Sequence, residues 1–275
     1  MIATDKSPLI IGHRGASALA PENTLAAFAR ALRDGADGIE LDVRLSRDGV
    51  PVVIHNPRVR SRIRSLLVSR LTSAQLRQID IGSWFNRRHR DLAGVEFTRQ
   101  RIPTLDDVFE LLTNQKTGRF LVYVELKCGR SRKRNEALVR ATIASVRRYR
   151  MEKQVILISF NLHAVASAKQ FDDSIRTGAL FGPKQAAVKP AKKIIQAALA
   201  CSADEILLHH RMATRKLIAA ARTQQLLPVV WTVEGSNWIE RARMLRLHAL
   251  ITNNPLLQLR GSEDGRTLLR RPRGR

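Results

Sequence analysis

The sequence predicts a (β/α)8 barrel, in which a closed ring of eight parallel strands is surrounded by helices. Three observations support this prediction. Strand-like and helix-like patterns alternate about eight times along the chain, which is typical of a parallel sheet with helices outside it. The chain has 275 residues, of which 44% are hydrophobic, enough for one barrel of about 250 residues. Polar residues follow several predicted strands, where barrel enzymes carry their active sites, whereas an open doubly wound sheet usually has fewer strands.

Short runs rich in Val, Ile and Leu predict the strands. In chain order they cover residues 9–12, 38–45, 51–55, 120–127, 155–159, 177–181, 205–209, 229–233 and 249–252. Apolar residues spaced three and four apart predict helices between them. These helices cover residues 23–33, 105–112, 136–148, 162–169, 189–199, 214–224 and 236–247.

One long stretch interrupts the alternation of strands and helices. Residues 57–101 are basic and turn-rich, with one short helix predicted near residues 73–79, followed by Trp84 and Phe85. We interpret this stretch as a small inserted subdomain folded over one face of a barrel that spans residues 1–260. The last residues, 261–275, are polar and basic, and they predict a disordered tail.

The strong positive charge of the chain is its most unusual property. It has 48 Lys and Arg against 24 Asp and Glu, a net charge of +24, which favours attraction to phosphate-bearing substrates or an anionic membrane surface. Aromatic residues make up only 5%, too few to provide the stacking platforms of single-strand binders, so no specific nucleic-acid partner is expected. No apolar run reaches about 18 residues and no secretory signal is evident, so we expect a soluble, cytoplasmic protein. Two cysteines give no disulfide scaffold.

Three carboxylates predict a metal site. Glu40 and Asp42 alternate with apolar residues on one predicted strand, so both side chains lie on the same face, and Glu125 repeats this pattern on another strand. Ionised carboxylates that converge at the end of a barrel need a neutralising ion, or one of them must stay protonated. Because the ligands are all oxygen, we expect one divalent cation, either Mg²⁺ or Ca²⁺.

Two cations and two histidines complete the predicted constellation. Arg14 and Lys127 add fixed positive charges suited to a phosphate ester, and His13 and His55 are a candidate acid–base pair. Each residue alone has a simpler explanation, because Lys127 could pair with Glu125 and a single histidine at a strand end is more often structural. The combination at successive strand ends is far more specific than any member.

The sequence resembles the glycerophosphodiester phosphodiesterase family. The first blocks that carry the resemblance are His13-Arg14-Gly15, Pro21-Glu22-Asn23-Thr24, Glu40-Leu41-Asp42-Val43, Asp48-Gly49, Val53-Ile54-His55 and Val124-Glu125-Leu126-Lys127. It continues in Gly82-Ser83-Trp84-Phe85, Arg101-Ile102-Pro103-Thr104-Leu105, Ser159-Phe160, Trp231-Thr232-Val233 and Ile251-Thr252-Asn253-Asn254-Pro255, so it covers roughly residues 9–257. The resemblance implies a TIM barrel that hydrolyses a small-molecule glycerophosphodiester to glycerol 3-phosphate and an alcohol, using a divalent metal.

The matching positions imply a role for each residue. The resemblance makes Glu40, Asp42 and Glu125 the metal ligands, His13 and His55 the acid–base pair, and Arg14 and Lys127 the phosphate contacts. It also implies supporting roles for Glu22, Asn56 and Trp231.

The chain departs from the family pattern at three acidic positions. Family members usually have Asp after the second histidine, where this chain has Asn56, and they often have two Asp near the end, where it has His248 and Asn253. These changes bear on substrate preference and rate, and two alternatives stay open. One is a lysophospholipase D with the same chemistry on a lipid, and the other is a basic anion-binding protein on a degenerate barrel.

Overall fold

The computed structural model describes residues 7–60, 65–114, 120–183 and 190–256. Eight parallel strands in the described residues form a closed barrel, as predicted, and the (β/α)8 fold class is confirmed. The barrel strands are β1 (Leu9–His13), β2 (Gly38–Leu45), β6 (Leu121–Leu126), β7 (Val155–Ser159), β8 (Arg176–Phe181), β9 (Glu205–His209), β10 (Leu227–Val233) and β11 (Ala249–Thr252). The ring closes because β1 pairs with both β2 and β11.

The barrel strands are apolar on both faces because both faces are buried. Inside the ring, Ile11, Tyr123 and Leu207 belong to one packed cluster. Outside the ring, Leu41 and Val124 pack against the helical layer. The interior is therefore filled by side chains, and the polar groups are confined to its ends.

The helices begin at capping residues that satisfy their free N–H groups. Thr24 caps the first helix, since its hydroxyl accepts a hydrogen bond from the backbone of Ala27 at 3.1 Å. The outer helices are α1 (Leu25–Arg33), α4 (Leu105–Asn114), α5 (Arg132–Arg148), α6 (Leu162–Phe171), α7 (Ala191–Ala200), α8 (Arg215–Thr223) and α9 (Asn237–Leu245). No helix among the described residues is both long and apolar enough to cross a membrane.

The start of α5 differs from the prediction. It was expected at residue 136, but the helix begins at Arg132, after Ser131 as its N-terminal cap. The first turn is exposed and basic, so it shows no apolar face from which a helical period could be read. The predicted start of the helix at residue 189 lies outside the described residues.

The predicted strand over residues 51–55 is not a barrel strand. The structure has β3 (Pro51–Val53), which pairs antiparallel with the end of β2, so the prediction that His55 ends a barrel strand was wrong. The connection between β2 and β3 is a short turn in which Ser46 N bonds to Val50 O and Gly49 has φ +81°. A turn of this length can join antiparallel strands but cannot make a parallel crossover.

The segment between β3 and α4 lies outside the barrel sheet. It contains a hairpin of β4 (Arg58–Arg60) and β5 (Ser65–Leu67), the short helices α2 (Ser73–Leu76) and α3 (Ser83–Arg88), and three single 3-10 turns, Val68–Arg70, Arg90–Leu92 and Val95–Phe97. Val59, Val68, Leu76 and Ile102 form a small apolar cluster. The division into an inserted subdomain at 57–101 stays a prediction, and the tail predicted at 261–275 lies outside the described residues.

Candidate active site

Three carboxylates meet at the carboxyl end of the barrel. The strand register places Asp42 of β2 beside Glu125 of β6, and His13 of β1 beside Glu40 of β2. One oxygen from each of Glu40, Asp42 and Glu125 lies within 4.8 Å of the other two, and all three residues are buried. The convergence follows from the parallel register, because neighbouring strands end at the same level.

Backbone and side-chain donors hold two of these carboxylates. Arg14 N donates to Glu40 Oε2 at 3.0 Å, and Asn23 Nδ2 donates to Asp42 Oδ2 at 2.8 Å. Asn23 is buried and adopts φ +57°, a left-handed conformation that Asn tolerates better than most residues. From the sequence, Asn23 is predicted only as the start of a helix. Its place beside Glu22 in the motif was the one indication of a role in the site.

Arg14 lies on a tight turn directly after β1. It adopts φ +53°, and Gly15 follows with φ +81°. A side chain at Gly15 would meet the backbone carbonyl of Ala27 at 2.6–2.7 Å, so the turn packs directly onto α1. The Arg14 guanidinium donates from Nη1 to Glu22 Oε2 at 2.8 Å, and its Nε lies 3.2 Å from Asp42 Oδ2 without hydrogen-bond geometry.

Lys127 bridges two of the carboxylates. Its Nζ lies 2.9 Å from Asp42 Oδ1 and 2.7 Å from Glu125 Oε1. Burial works to lower the pKa of Lys127, but the two neighbouring carboxylates outweigh burial, and its pKa is raised. Lys127 therefore stays charged in this site.

The carboxyl cluster holds more negative charge than Arg14 and Lys127 fully neutralise. Burial, followed by repulsion from Asp42, raises the pKa of Glu40 well above its usual range. Burial also raises the pKa of Glu125, whereas Lys127 and Arg14 overcome burial at Asp42 and lower its pKa. A cation among the three would favour the ionised form of all of them.

The cluster fits a hard divalent cation. Oxygens bound to one Mg²⁺ or Ca²⁺ at about 2.0–2.6 Å lie no more than about 5 Å apart. The separations within 4.8 Å meet that limit, and the ligand atoms are all carboxylate oxygens. Asp42 Oδ1 is buried, and the one partner recorded for it in the described residues is Lys127 Nζ at 2.9 Å, without hydrogen-bond geometry.

His13 is oriented by a residue from the opposite end of the chain. Its Nδ1 lies 2.7 Å from Asn253 Oδ1, and its Nε2 lies 3.9 Å from Glu40 Oε2. The same Asn253 oxygen accepts from Ser17, and the Asn253 amide nitrogen donates to Glu234, which fixes the amide orientation. Because an amide oxygen only accepts, His13 Nδ1 carries the proton and Nε2 presents its lone pair. Burial, followed by Arg14, lowers the pKa of His13 to about 4.

His55 lies two residues beyond β3, on the loop that leads into the segment 57–101. Its Nδ1 lies 3.0 Å from Asn56 Oδ1, and Ile54 N bonds to Asp42 O, which ties the loop to β2. Burial lowers the pKa of His55. His55 is thus a partly exposed, neutral imidazole, also paired with an amide.

Comparisons with known proteins identify the family. The model of the glycerophosphoryl diester phosphodiesterase family matches residues 13–257, which include every residue of this site.

The chain belongs to that family.

A glycerophosphodiester phosphodiesterase of Caldanaerobacter subterraneus subsp. tengcongensis is 32% identical over 248 residues, 90% of this chain and 94% of the relative. The prediction of an enzyme, a phosphodiesterase, is confirmed.

Solved structures of this family share the fold. A protein of Silicibacter pomeroyi, provisionally named a glycerophosphoryl diester phosphodiesterase, superimposes with a TM-score of 0.81 at 26% identity, covering 92% of this chain and 93% of that one. An Oleispira antarctica phosphodiesterase in complex with the product sn-glycerol-3-phosphate superimposes with a TM-score of 0.76 at 23% identity, covering 92% and 96%. At that identity the second likeness concerns the fold alone.

Trp231, a family motif residue predicted to support the site, lies on a different barrel strand from the three carboxylates. It sits on β10 with its ring edge-on to Phe160, at 5.5 Å between centroids, and to His209, at 5.1 Å. It also packs on the apolar cluster inside the barrel. Its indole Nε1 is buried without a hydrogen-bond partner in the described residues.

A cleft of about 300 Å³ opens beside His55. Glu22 and Asn56 line it on one side, and Arg58 and Trp84 line it from the segment 57–101. A larger cavity of about 1000 Å³ lies within that segment, lined by Trp84 and several arginines but by none of the site residues described above. The 300 Å³ cleft is therefore the better candidate for substrate in this family member, because it contacts the site itself.

Proposed function

We propose that the protein is a metal-dependent phosphodiesterase that hydrolyses glycerophosphodiesters to glycerol 3-phosphate and an alcohol. One observation carries the proposal: oxygens of Glu40, Asp42 and Glu125 lie within 4.8 Å of one another, between two cations and two imidazoles. Membership of the family supports the reaction type.

In this proposal the three carboxylates hold one Mg²⁺ or Ca²⁺. When bound, the cation would supply positive charge for a phosphate oxygen, which favours the build-up of negative charge in the transition state. Arg14 and Lys127 bind the remaining phosphate oxygens. Glu22 supports Arg14 through the 2.8 Å ion pair, so the guanidinium is held in place before substrate arrives.

His13 and His55 act as the acid–base pair. One imidazole, neutral with a free Nε2 lone pair, takes the proton from the attacking oxygen, which is water or the neighbouring glycerol hydroxyl. The other acts as the imidazolium, protonated on both nitrogens, and gives its Nε2 proton to the leaving alkoxide. Asn253 and Asn56 hold both Nδ1 atoms, so both Nε2 atoms are left to exchange the proton. The two histidines must lie on opposite sides of the phosphorus for an in-line displacement.

The activity is tested by release of glycerol 3-phosphate from a panel of glycerophosphodiesters. We expect EDTA to abolish turnover and Mg²⁺ or Ca²⁺ to restore it. Binding of the metal is measured separately, by the rise in melting temperature that each ion causes in the metal-free protein. Asp42→Asn should reduce that rise, while Asp34→Asn, a carboxylate on the outer layer paired with Arg30, should leave it unchanged.

No hydrolysis with any divalent ion would contradict this proposal. It would favour the hypothesis of a basic anion-binding protein if binding to lipid or nucleic acid fell steeply with salt.

One observation favours a second candidate, a lysophospholipase D acting at an anionic membrane. Trp84, Leu92 and Val95 of the segment 57–101 are large apolar residues that are 40%, 39% and 88% exposed. Arg87 and Arg88 lie between them in sequence. Exposed apolar side chains among arginines are the composition expected of a surface that contacts anionic lipid.

Vesicles separate the two candidates. A lysophospholipase D should hydrolyse lysophosphatidylcholine faster than glycerophosphocholine and should sediment with vesicles that contain anionic lipid. Trp84→Ala with Val95→Ser should weaken that binding, whereas Leu199→Ser, an exposed apolar residue on α7, should not. Preference for glycerophosphocholine without vesicle binding would contradict the lysophospholipase D candidate and support the first proposal.

A further inference from the structure

A third cavity adjoins the active site, between the ends of β2 and β6, the start of α5 and the segment after His55. Its volume is about 220 Å³. Pro57 and Val68 line one side, and Ser131, the cap of α5, lines another. Pockets that enclose a whole ligand usually measure about 300–1,000 Å³, so this one suits a single group of a larger molecule.

The charged side chains that line this cavity are all positive. They are Arg44, Lys127, Arg130 and Arg134, and we call the cavity the arginine pocket. No acidic residue in the described part of the chain lines it. Like charges held together repel one another, and an anion placed among them is attracted by all four.

Three of these cations, Arg44, Arg130 and Arg134, form no ion pair within the described residues, although Asp42 and Glu125 attract Arg44 at longer range. Arg44 donates from Nε to His55 O at 2.8 Å and from Nη1 to Lys127 O at 3.4 Å, and Arg134 donates from Nη2 to Leu45 O at 3.0 Å. Backbone carbonyls fix these guanidinium groups but carry no net charge. Arg130 makes no hydrogen bond or ion pair within the described residues. By contrast Arg132, the first residue of α5, pairs with Glu136 and does not line the pocket.

The loop that carries Arg130 is held in place. Asn135 Oδ1 accepts from Gly129 N at 2.8 Å, and Asn135 Nδ2 donates to Gly129 O at 3.0 Å. Asn135 is buried, so the loop between β6 and α5 is clamped from inside the helix. Because backbone carbonyls hold Arg44 and Arg134 and the loop of Arg130 is clamped, less entropy is lost when an anion enters the pocket.

The arginine pocket is continuous with the catalytic centre. Lys127 lines the pocket, and its Nζ contacts Asp42 and Glu125. Pro57 lines the arginine pocket, whereas its neighbours Asn56 and Arg58 line the 300 Å³ cleft. The two cavities therefore lie on either side of one chain segment, and a substrate whose phosphate contacts Lys127 can extend into both.

We propose that the arginine pocket is an anion subsite that binds a negatively charged group, a phosphate or a carboxylate, on the leaving alcohol of the substrate. The inference rests on the proposed function and adds the class of substrate. Glycerol carries no charge, so the anionic group that the pocket attracts belongs to the alcohol. The enzyme then prefers diesters with an anionic alcohol, and it disfavours those with a cationic one such as choline.

Three substrates test the proposal. Bis(glycerophospho)glycerol carries a second phosphate on the leaving alcohol, glycerophosphoglycerol has a neutral alcohol, and glycerophosphocholine has a cationic one. We expect kcat/KM to fall in that order, by about tenfold between the first and the last, as one added hydrogen bond to a charged group would produce. The difference should lie mainly in KM and should shrink as salt is added.

Variants locate the effect. Arg130→Gln should lower kcat/KM for bis(glycerophospho)glycerol by about fivefold or more, since charge-assisted hydrogen bonds are the strong ones. It should raise kcat/KM for glycerophosphocholine, because it removes a charge that repels choline. Arg132→Gln removes the same charge from the same helix end, outside the pocket, and should change neither substrate. Because Arg130 makes no contact in the described residues, its variant should keep the melting temperature of the wild type.

Distinct results separate failure of this inference from failure of the proposed function. Three results would each overturn the anion subsite but leave the phosphodiesterase activity in place. These are an equal loss of kcat/KM on the anionic and cationic substrates in Arg130→Gln, equal effects of Arg130→Gln and Arg132→Gln, or a preference of the wild type for glycerophosphocholine. Absence of hydrolysis of all three substrates with every divalent ion would overturn both.

Discussion

The imidazole of His13 is bound to the side chain of Asn253, with 2.7 Å between Nδ1 and Oδ1. His13 ends the first barrel strand and Asn253 directly follows the last, and the pairing of β1 with β11 brings them together. An amide at this position fixes the ring as a carboxylate would, but it adds no negative charge. Asn253 therefore orients His13, whereas burial and Arg14 outweigh its hydrogen bond and lower the pKa of His13.

Replacing Asn253 should leave His13 in the site but remove the hydrogen bond that orients its ring. Asn253→Ala should lower kcat by about tenfold or more, part of the ~10²–10⁴-fold that a general acid or base contributes. KM should change little, because Asn253 is not among the proposed phosphate contacts. Ser17→Ala removes the second donor to the same oxygen and should lose much less activity. Equal losses in the two variants would mean that Asn253 acts through the loop instead of through His13.

Each histidine should be required for turnover. His13→Ala or His55→Ala should lower kcat by at least about 10²-fold, with the fold retained, because each removes one proton-transfer group. His163→Ala serves as the control, since His163 is exposed and its recorded ion pair, within the described part of the chain, is with Glu136. Steady-state kinetics and circular dichroism together give the result. Near-normal turnover of either active-site variant would remove the acid–base assignment.

Two glycines with the same backbone conformation should respond differently to alanine. Gly15 and Gly49 both have φ +81°, but a methyl group at Gly15 meets the backbone of Ala27 at 2.6 Å and one at Gly49 meets nothing within 4 Å. We expect Gly49→Ala to lower the free energy of unfolding by about 1–2 kcal/mol, the left-handed backbone penalty. Gly15→Ala should lower it by about 3 kcal/mol or more, because overpacking is added.

Chemical denaturation measures both glycine variants. Gly15→Ala should also impair activity where it still folds, since Gly15 follows Arg14 and sets its turn. Similar stability of the two variants would show that α1 can move away from the turn.

A buried carboxyl group inside the barrel should make stability depend on pH. Glu205 accepts a hydrogen bond from the Tyr123 hydroxyl at 2.9 Å, and Arg176 Nη1 lies 3.3 Å from it. Burial raises the pKa of Glu205 to about 7. Its favourable contribution is complete below the unfolded-chain pKa near 4.5 and is lost as the pH rises through about 7.

Glu205→Gln should remove this dependence. The free energy of unfolding of the variant, relative to wild type, should rise by roughly 3 kcal/mol between pH 5 and pH 8. Glu110→Gln, on the exposed side of α4, is the matched control and should run parallel to wild type. A parallel course for Glu205→Gln as well would indicate that Arg176 keeps Glu205 ionised throughout.

Much of the barrel could be predicted from the sequence because buried parallel strands are continuous apolar runs. The run at Val155–Ser159 was predicted with the bounds that the structure has. The strand before His55 was misplaced because a three-residue antiparallel strand and the end of a barrel strand have the same apolar composition. What distinguishes them is the length of the connection before them, five residues from Ser46 to Val50.

The ionic residues of the site could be predicted because a charged side chain on a buried strand is costly unless a partner or a cation neutralises it. Glu40, Asp42 and Glu125 alternate with apolar residues, and the structure brings the three together. The neutral residues of the site, Asn23 and Asn253, could not be predicted in the same way. An asparagine in a turn is ordinary, and only the folded chain shows that one bonds to Asp42 and the other to His13.

The first and last barrel strands are direct neighbours, with Leu9 opposite Ala249 and Gly12 opposite Thr252. During synthesis, β1 can therefore pair with β11 only after nearly the whole sequence has left the ribosome, which takes tens of seconds at about 5–20 residues per second. During that time one edge of β1 is unpaired and available to other chains. A nascent chain of this protein should depend on chaperones until β11 emerges, and catalysis should begin only then.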